Sequence, residues 1–514
     1  MKIVLISTAT FPSDQGIRTI SSVLKKAGHK VKIIFMAYSE DYSKFYHKKE
    51  LEQVYSICKG AELIGLNSYA STANRTIQII NFLKKKGIDK PLVWGGIHAT
   101  ISPEDCIKYV NIVCVGDGEE AVLDLVKAIE NNKSINKIPN LWARNTSNGE
   151  IIKNPVRKLI ENLDNLPFAD YDIQDHYILE NHNIRRFLEK DFGGQIFFLT
   201  GRGCPYGCEY CSNNLLNKLY KGKCKQIVRW NSVDYIIDCI LDLKKRFKTL
   251  TFSDIRDDTF SLRSLEQIKE FCLKYKEKVN MRFKCLADPH TVSEEKISLL
   301  VNAGCTDIIM GIQGCEKTNF EIFKRYQKDE EVIKAAKILN KYKDRLAVMY
   351  DVITCNPYEK PEDIINMIKL LKKIPKPYYL SVNNLVFFPG SGLYDKAKSD
   401  PLLKKQIKES WKLNYWDRSK HILLKKNNMY LVLILNLMRG SVTERRFGAM
   451  PGFLLNYLIK PKRVKKNLSN PTLTYLVLYA MSFSDLIRER IAKPIYRLMP
   501  VKFKTWYDRV RYRV

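Results

Sequence analysis

Short apolar runs alternate with segments of helical periodicity over most of this chain, and that alternation limits its fold more than any other feature. Residues 2–7 (KIVLIS) carry no charge after Lys2 and read as a first strand. In residues 17–28, Ile17, Ile20, Val23 and Leu24 recur at helical spacing and Gly28 follows as a stop. The same reading places strands at 31–36, 63–67, 91–94 and 112–115, a helix ending near Gly60, and helices at 73–86 and 119–130. Strands alternating with helices predict a parallel α/β sheet of the Rossmann type, whose ligands sit at the carboxyl ends of the strands. Those ends are glycine-rich and polar: 7–12 (STATFP), 67–72 (NSYAST), 95–100 (GGIHAT) and 115–120 (VGDGEE). Glycine lets the backbone approach a ligand closely.

After a connector, in which 141–153 reads as a β-hairpin and 165–172 (NLPFADYD) as an extended linker, the alternation resumes. A strand at 197–200 is followed by strands at 249–252, 281–286, 307–311, 348–353 and 379–386. Helices are expected at 232–245, 265–275, 294–303, 330–342 and 361–373. Six βα-type units make a partial TIM barrel, open on one side, with its site at the C-terminal strand ends. The expected domains are 1–140, a connector at 141–189, the barrel at 190–400 and a basic, mainly helical region at 401–514.

The barrel's first strand runs into residues 200–214 (TGRGCPYGCEYCSNN), which hold Cys204, Cys208 and Cys211 in a C-x3-C-x2-C spacing. Three thiolates so close together suit one soft metal centre, zinc or an iron–sulfur cluster. A closed structural zinc site wants four ligands, whereas a ligand-binding metal keeps a position open. No fourth Cys or His lies at short spacing, and Cys224 is thirteen residues further on. A zinc knuckle or three structural cysteines are the alternatives. The stretch resembles the cluster loop of radical S-adenosylmethionine (SAM) enzymes. The resemblance implies that the three cysteines hold three irons of a [4Fe-4S] cluster, that SAM chelates the fourth, and that Tyr210 lies near the adenine. Residues 252–260 (FSDIRDDTF) resemble a family segment that would put Asp257 and Asp258 near the SAM amine or the substrate, with helix capping as the alternative. Residues 311–314 (GIQG) resemble a family segment that passes close to SAM, which implicates Gly311 and Gln313. Gln313 replaces the usual Glu, so it can hydrogen-bond a ribose hydroxyl but carries no charge. Residues 389–392 (PGSG) resemble the segment that closes the barrel, whereas Asn356-Pro357 matches the family loop poorly.

The first domain resembles the cobalamin-binding domain that precedes many radical SAM domains. Gly95, Gly96 and His98 stand in its nucleotide-side loop, and Gly116, Asp117, Gly118 and Glu119 in its last-strand turn. The usual D-x-H-x-x-G motif is absent, since no Asp-x-His occurs in residues 1–150. Cobalamin would therefore bind without a protein His ligand, and His98 reads as a hydrogen-bonding loop residue. A scaffold or a substrate-binding lid is the alternative. The resemblance implies that a reduced cluster cleaves SAM to a 5′-deoxyadenosyl radical, and that methyl transfer to an unactivated carbon follows. A radical cyclase of the magnesium-porphyrin ester cyclase kind is the second enzyme reading, and a metal-binding RNA partner the non-enzyme one. Cys285, Cys305, Cys315 and Cys355 read as core cysteines, with Cys355 a candidate catalytic hydrogen donor at a strand end. The partners implied are a small-molecule or lipid substrate and an electron donor such as ferredoxin or flavodoxin.

The net charge of +31 is uneven. Residues 401–514 hold 25 Lys and Arg against 6 Asp and Glu. Apolar runs at 430–438 and 473–481 alternate there with basic clusters at 460–466 and 509–513, beside Trp411, Trp416, Trp506, Tyr507 and Tyr512. That mixture predicts peripheral association with an anionic membrane rather than nucleic acid, with a helical cap on the barrel as the alternative. Thirteen cysteines in 514 residues, without a signal pattern, predict a reduced, cytoplasmic protein. No apolar run reaches the roughly eighteen residues of a membrane span.

Overall fold

The computed structural model describes residues 1–9, 12, 14–37, 44–145, 148–407, 428–438 and 452–470. They form two compact units. The first comprises Met1–Leu286, Asn302–Gly304 and the described part of Val386–His421. The second comprises Ala287–Val301, Cys305–Leu385 and the described residues beyond Ile422.

The first unit opens with β1 (Lys2–Ser7), α1 (Gln15–Lys26), β2 (Lys30–Phe35), α2 (Lys48–Cys58), β3 (Leu63–Asn67), α3 (Ala73–Lys85), β4 (Leu92–Gly95), α4 (Gly96–Ile101), α5 (Pro103–Cys106), β5 (Ile112–Cys114) and α6 (Glu119–Glu130). The five strands are parallel in the order 5-4-3-1-2. Their side chains are buried on both faces, as a parallel sheet covered by helices requires. On one face α1 and α6 bury Ile17, Leu24, Leu125 and Val126; on the other α2 and α3 bury Leu51, Val54, Ile79 and Leu83.

The connector extends this sheet at both edges. β6 (Leu141–Arg144) and β7 (Ile151–Lys153) add antiparallel beside β5. β8 (His176–Glu180) pairs parallel with β2, and β9 (Asn183–Arg186) pairs with β8. Between them, the segment expected as an extended linker is pinned. Asp170 accepts from Ser21 Oγ (2.6 Å) and pairs with Lys25 (3.0 Å), and Tyr171 Oη donates to Phe197 O (3.0 Å).

The first unit continues with β10 (Gln195–Phe198), a short pair β11 (Gly201–Arg202) and β12 (Arg229–Trp230), α7 (Ser212–Leu219), α8 (Val233–Arg246), β13 (Phe252–Ile255), α9 (Leu265–Lys274) and β14 (Arg282–Ala287). β10, β13 and β14 are parallel neighbours. β13 lies three residues later than the sequence suggests, because its register is set by pairing of Phe252 with Gln195.

In the second unit, α10 (Glu294–Asn302) precedes β15 (Cys305–Gln313), α11 (Glu316–Thr318), α12 (Asp329–Asn340), β16 (Ala347–Thr354), α13 (Pro361–Lys373) and β17 (Tyr379–Asn384). β15, β16 and β17 are parallel in that order. The fold class is thus α/β: a Rossmann-type sheet, then the six strand–helix repeats of a partial TIM barrel. The chain returns to the first unit with α14 (Gly392–Ser399) and α15 (Lys404–Ile407). Helices α16 (Met429–Leu437), α17 (Gly452–Leu458) and α18 (Pro461–Ser469) belong to the second unit.

Helix α16 corrects the reading of 430–438 as a lipid-facing run. Met429 to Leu435 are all buried, and the helix packs on α13 and α18. An all-round apolar helix is a buried one, and here protein rather than lipid buries it. The run at 473–481, the cluster at 509–513 and the five interfacial aromatics lie outside the described residues.

Candidate active site: the cysteine loop and the cavity beside it

The loop begins where β10 ends, and a buried ion pair holds that point. Asp257, 1 % exposed, accepts from the backbone N–H of Thr200 (2.6 Å) and Gly201 (3.1 Å) and from Arg263 Nη1 (2.8 Å). Arg263 Nη2 also donates to Thr200 O (3.0 Å), and its guanidinium lies between the rings of Trp230 and Phe260. The structure therefore places Asp257 beneath the loop, with its oxygens occupied by the segment that leads to Cys204. Asp258 lies on the exposed side and takes hydrogen bonds from Asn213 and the Gly203 N–H.

Gly203 turns the chain at φ +92, and a Cβ there would lie 2.2 Å from Ile227 O, so no other residue fits. Cys204 and Cys208 are buried and Cys211 half-buried at the N-cap of α7. Burial pushes the Cys204 thiol up to about 12, and Asp258, Cys211 and Cys208 push the same way. A thiol that burial keeps protonated is stabilised as a thiolate by a cation, so metal binding at Cys204 displaces a proton. Among the described residues no three His, Cys, Asp or Glu side chains gather tightly enough for a single ion. A cluster asks for wider spacing, because each thiolate binds a different iron. Tyr210 is half-buried beside Cys211. The closing segment also meets this loop: Leu393 N donates to Glu209 O (3.0 Å), and the Glu209 carboxylate lies where a Cβ on Gly392 would be.

Beside the loop, in the same unit, lies a largely apolar cavity of about 310 Å³ at the carboxyl ends of β1, β3, β4 and β5. Gly95, Gly96, Gly116, Asp117, Gly118 and Glu119 all line it. His98 does not; it is buried in α4 against Trp94, with ring centroids 5.6 Å apart. Other lining residues were given no individual role by the sequence. Gln15 and Asn67 line it, Leu163, Leu166 and Ala169 of the connector form a wall, and Leu199, Gly201 and Arg202 close it on the loop side. Arg202 Nη2 donates to Glu119 Oε1 (2.6 Å) and Nη1 to Asp117 Oδ2 (3.3 Å). Tyr220 Oη accepts from Asp117 N (2.7 Å) and occupies the place of a Gly116 Cβ. A charged residue in a glycine-rich loop gives no local signal of partners 83 and 85 residues away.

The second unit carries the remaining candidates. Gln313 takes φ +65 at a bulge after Gly311, and the carbonyls of this bend are held by side chains. Arg325 donates to Gly311 O (3.3 Å), and Asn319 and Gln327 donate to Ile312 O. Cys355 follows β16 at φ +59, a left-handed conformation unusual for a side-chain-bearing residue, and its thiol donates to Asn384 Oδ1 (2.9 Å). Burial, then Glu359, pushes that thiol up to about 12, so it stays S–H. Cys285, Cys305 and Cys315 are buried as core cysteines.

Two family models match this arrangement: a B12 binding domain over residues 1–126 and the radical SAM superfamily over residues 198–371. The chain thus joins a B12-binding domain to a radical SAM domain. This radical SAM enzyme is 25% identical over 351 residues to an uncharacterised methyltransferase of Pyrococcus horikoshii, covering 66% of this chain and 70% of that one. It is 21% identical to the bacteriochlorophyllide d C-8(2)-methyltransferase of Chlorobaculum tepidum, over 66% and 69% of the two chains. In fold it is similar to the radical SAM methyltransferase TsrM of Kitasatospora setae, solved with cobalamin and a [4Fe-4S] cluster. The TM-score is 0.61 at 16% identity, over 77% of this chain and 74% of that one. It is also similar to OxsB with aqua-cobalamin, with a TM-score of 0.58 at 17% identity over 79% and 56%. The cofactors of this enzyme are a [4Fe-4S] cluster, SAM and cobalamin, which sets aside a zinc knuckle and a non-enzymatic RNA partner. Among the described residues no helix is long and apolar enough to cross a membrane.

Proposed function

We propose that this enzyme is a cobalamin-dependent C-methyltransferase acting on an unactivated carbon of an apolar small molecule or lipid. The observation that carries it is the shared wall: the glycine-lined cavity and the three-cysteine loop lie in one unit, joined through residues 199–202. Cys204, Cys208 and Cys211 ligate the cluster, and Gly95, Gly96, Gly116, Asp117, Gly118 and Glu119 hold the corrinoid tail. The bound groups supply a carbon-centred radical initiator and a methyl carrier. The chain's own residues do the rest. The Asp257–Arg263 pair fixes the entry to the loop, the apolar cavity excludes water, and Cys355, in the second unit, keeps its proton on sulfur. The names of the relatives support methyl transfer, and the absence of a D-x-H motif from residues 1–150 supports a corrinoid without a protein imidazole on cobalt.

The test uses enzyme purified anaerobically with cobalamin supplied. Iron, sulfide and corrin are measured, and dithionite with methyl-labelled SAM is added to candidate apolar acceptors. 5′-Deoxyadenosine with label transferred to carbon supports the reading. Deoxyadenosine with a new ring and no label transfer favours the cyclase, and zinc without SAM cleavage overturns both.

A lipid-surface setting is favoured by α17 and α18. Phe453 is 77 % exposed and Tyr457 43 %. Arg463 stacks on Tyr457 at 3.6 Å, and Lys460, Lys462, Lys465 and Lys466 are exposed alongside. An apolar ring among cations suits the boundary of an anionic bilayer. Flotation with phosphatidylglycerol vesicles, absent with phosphatidylcholine and lost in K462E/K465E/K466E, is the expected result. Equal binding to both vesicles, or to neither, removes the membrane from the reading.

A further inference from the structure

The chain between β10 and Cys204 is gripped from the cavity side at two points. Gln15 Oε1 accepts from Leu199 N (2.5 Å), and Gln15 Nε2 faces Leu199 O. Three residues on, Arg202 is clamped between Asp117 and Glu119. Arg229 also reaches Asp117 (3.2 Å), so the acidic turn is itself held in place. All four gripping groups, Gln15, Asp117, Glu119 and Arg202, line the cavity, and Arg202 lies two residues ahead of Cys204. Glu119 is 5 % exposed, and its second oxygen, Oε2, has no hydrogen-bond partner among the described residues. A buried carboxylate oxygen without a donor is costly, and a ligand entering the cavity with a hydroxyl or amide can supply one. That ligand then fixes the carboxylate that orients Arg202.

We propose that the occupant of the cavity and the cluster loop are energetically coupled through residues 199–202, with Arg202 as the positioning residue, so that corrinoid and cluster each tighten the binding of the other. The proposal rests on the corrinoid reading of the cavity. The sign follows from shared ordering. Either ligand immobilises the same short segment, and the second to bind meets a segment already ordered. Linkage makes the effect reciprocal.

The probe is hydroxocobalamin, titrated by absorbance into the full chain, once free of cluster and once reconstituted with iron and sulfide. The expected result is tighter binding to the cluster-loaded protein by roughly the 5- to 150-fold typical of coupled sites. Hydroxocobalamin should also slow iron loss to a chelator. In Arg202→Met the ratio of the two affinities falls to about one, while Arg202→Lys, which keeps the charge but loses the fork, recovers part of it. A packing role alone would weaken both affinities and leave their ratio unchanged. If Arg202→Met fails to take up iron, Gln15→Ala tests the second grip on the same ratio. A wild-type ratio of one, or an unchanged ratio in the variants, overturns the coupling. Hydroxocobalamin binding to no form overturns the corrinoid reading, and the coupling falls with it.

Discussion

The Asp257→Asn variant tests most directly what holds the cysteine loop. The amide still offers one oxygen to the N–H groups of Thr200 and Gly201, but it leaves the 2 % exposed Arg263 without its counter-charge. Burial already disfavours the charged form of Arg263, and Asp257 opposes that. Removing one partner of a buried pair costs about 3–5 kcal/mol, because the other charge stays uncompensated. The loss falls on the segment from Thr200 to Gly201, so local opening should rise by on the order of a hundredfold or more. Hydrogen exchange read by mass spectrometry over peptides spanning 196–206 measures that opening, and iron per chain after anaerobic reconstitution measures its effect on cluster uptake. Asp234→Ala serves as control, since it removes an exposed, solvent-screened pair with Lys274. Wild-type exchange and full iron in Asp257→Asn would refute the claim that this pair positions the loop.

Replacing any of Cys204, Cys208 or Cys211 by Ala should abolish the cluster's visible absorption and SAM cleavage; retention of iron in all three variants would remove the loop from the site. Gly95→Leu should cut bound corrin at least tenfold while leaving iron unchanged. Gly95 has ordinary extended backbone, and a Cβ meets only Cys114 at 3.6 Å, so the longer side chain occupies the cavity rather than breaking the fold. Glu359 is pushed up from 4.5 to about 8, first by burial and then by Asp363, against the Thr318 hydrogen bond. A raised carboxyl stabilises the fold fully below about 4.5, and that contribution is lost as the pH rises through about 8. Wild type should therefore lose stability on the order of a few kcal/mol between pH 5 and 9, and Glu359→Gln should lose less. Denaturant midpoints at the two pH values check this, and parallel profiles would contradict it.

Helices with a strong apolar stripe were legible at once. The helix at 361–373 was read with its observed ends, because Pro361 starts it and Ile364, Ile368 and Leu371 bury one face. The three cysteines and the glycine turns at 95–96 and 116–118 were legible because those residue types have few other uses in such spacing. The apolar run at 430–438 leaves lipid and a cap on the barrel both open in the sequence for a physical reason: hydropathy demands burial without saying what does the burying. In the connector the hairpin at 141–153 is legible, but 165–172 reads as a linker although it supplies part of a cavity wall, and the strands at 176–186 give no reading, since hydrogen bonding at a sheet edge leaves little mark on composition.

The sequence by itself determined the two strand–helix series and the soft-donor loop, because periodicity and thiol chemistry are local properties. Only the tertiary structure decided where Asp257 points, that His98 lies off the cavity, and that Arg202 joins the cavity to the loop. Those outcomes depend on partners from Thr200 to Arg263 and from Asp117 to Arg229, and pairing over such separations is settled by packing and burial rather than by any neighbouring residue.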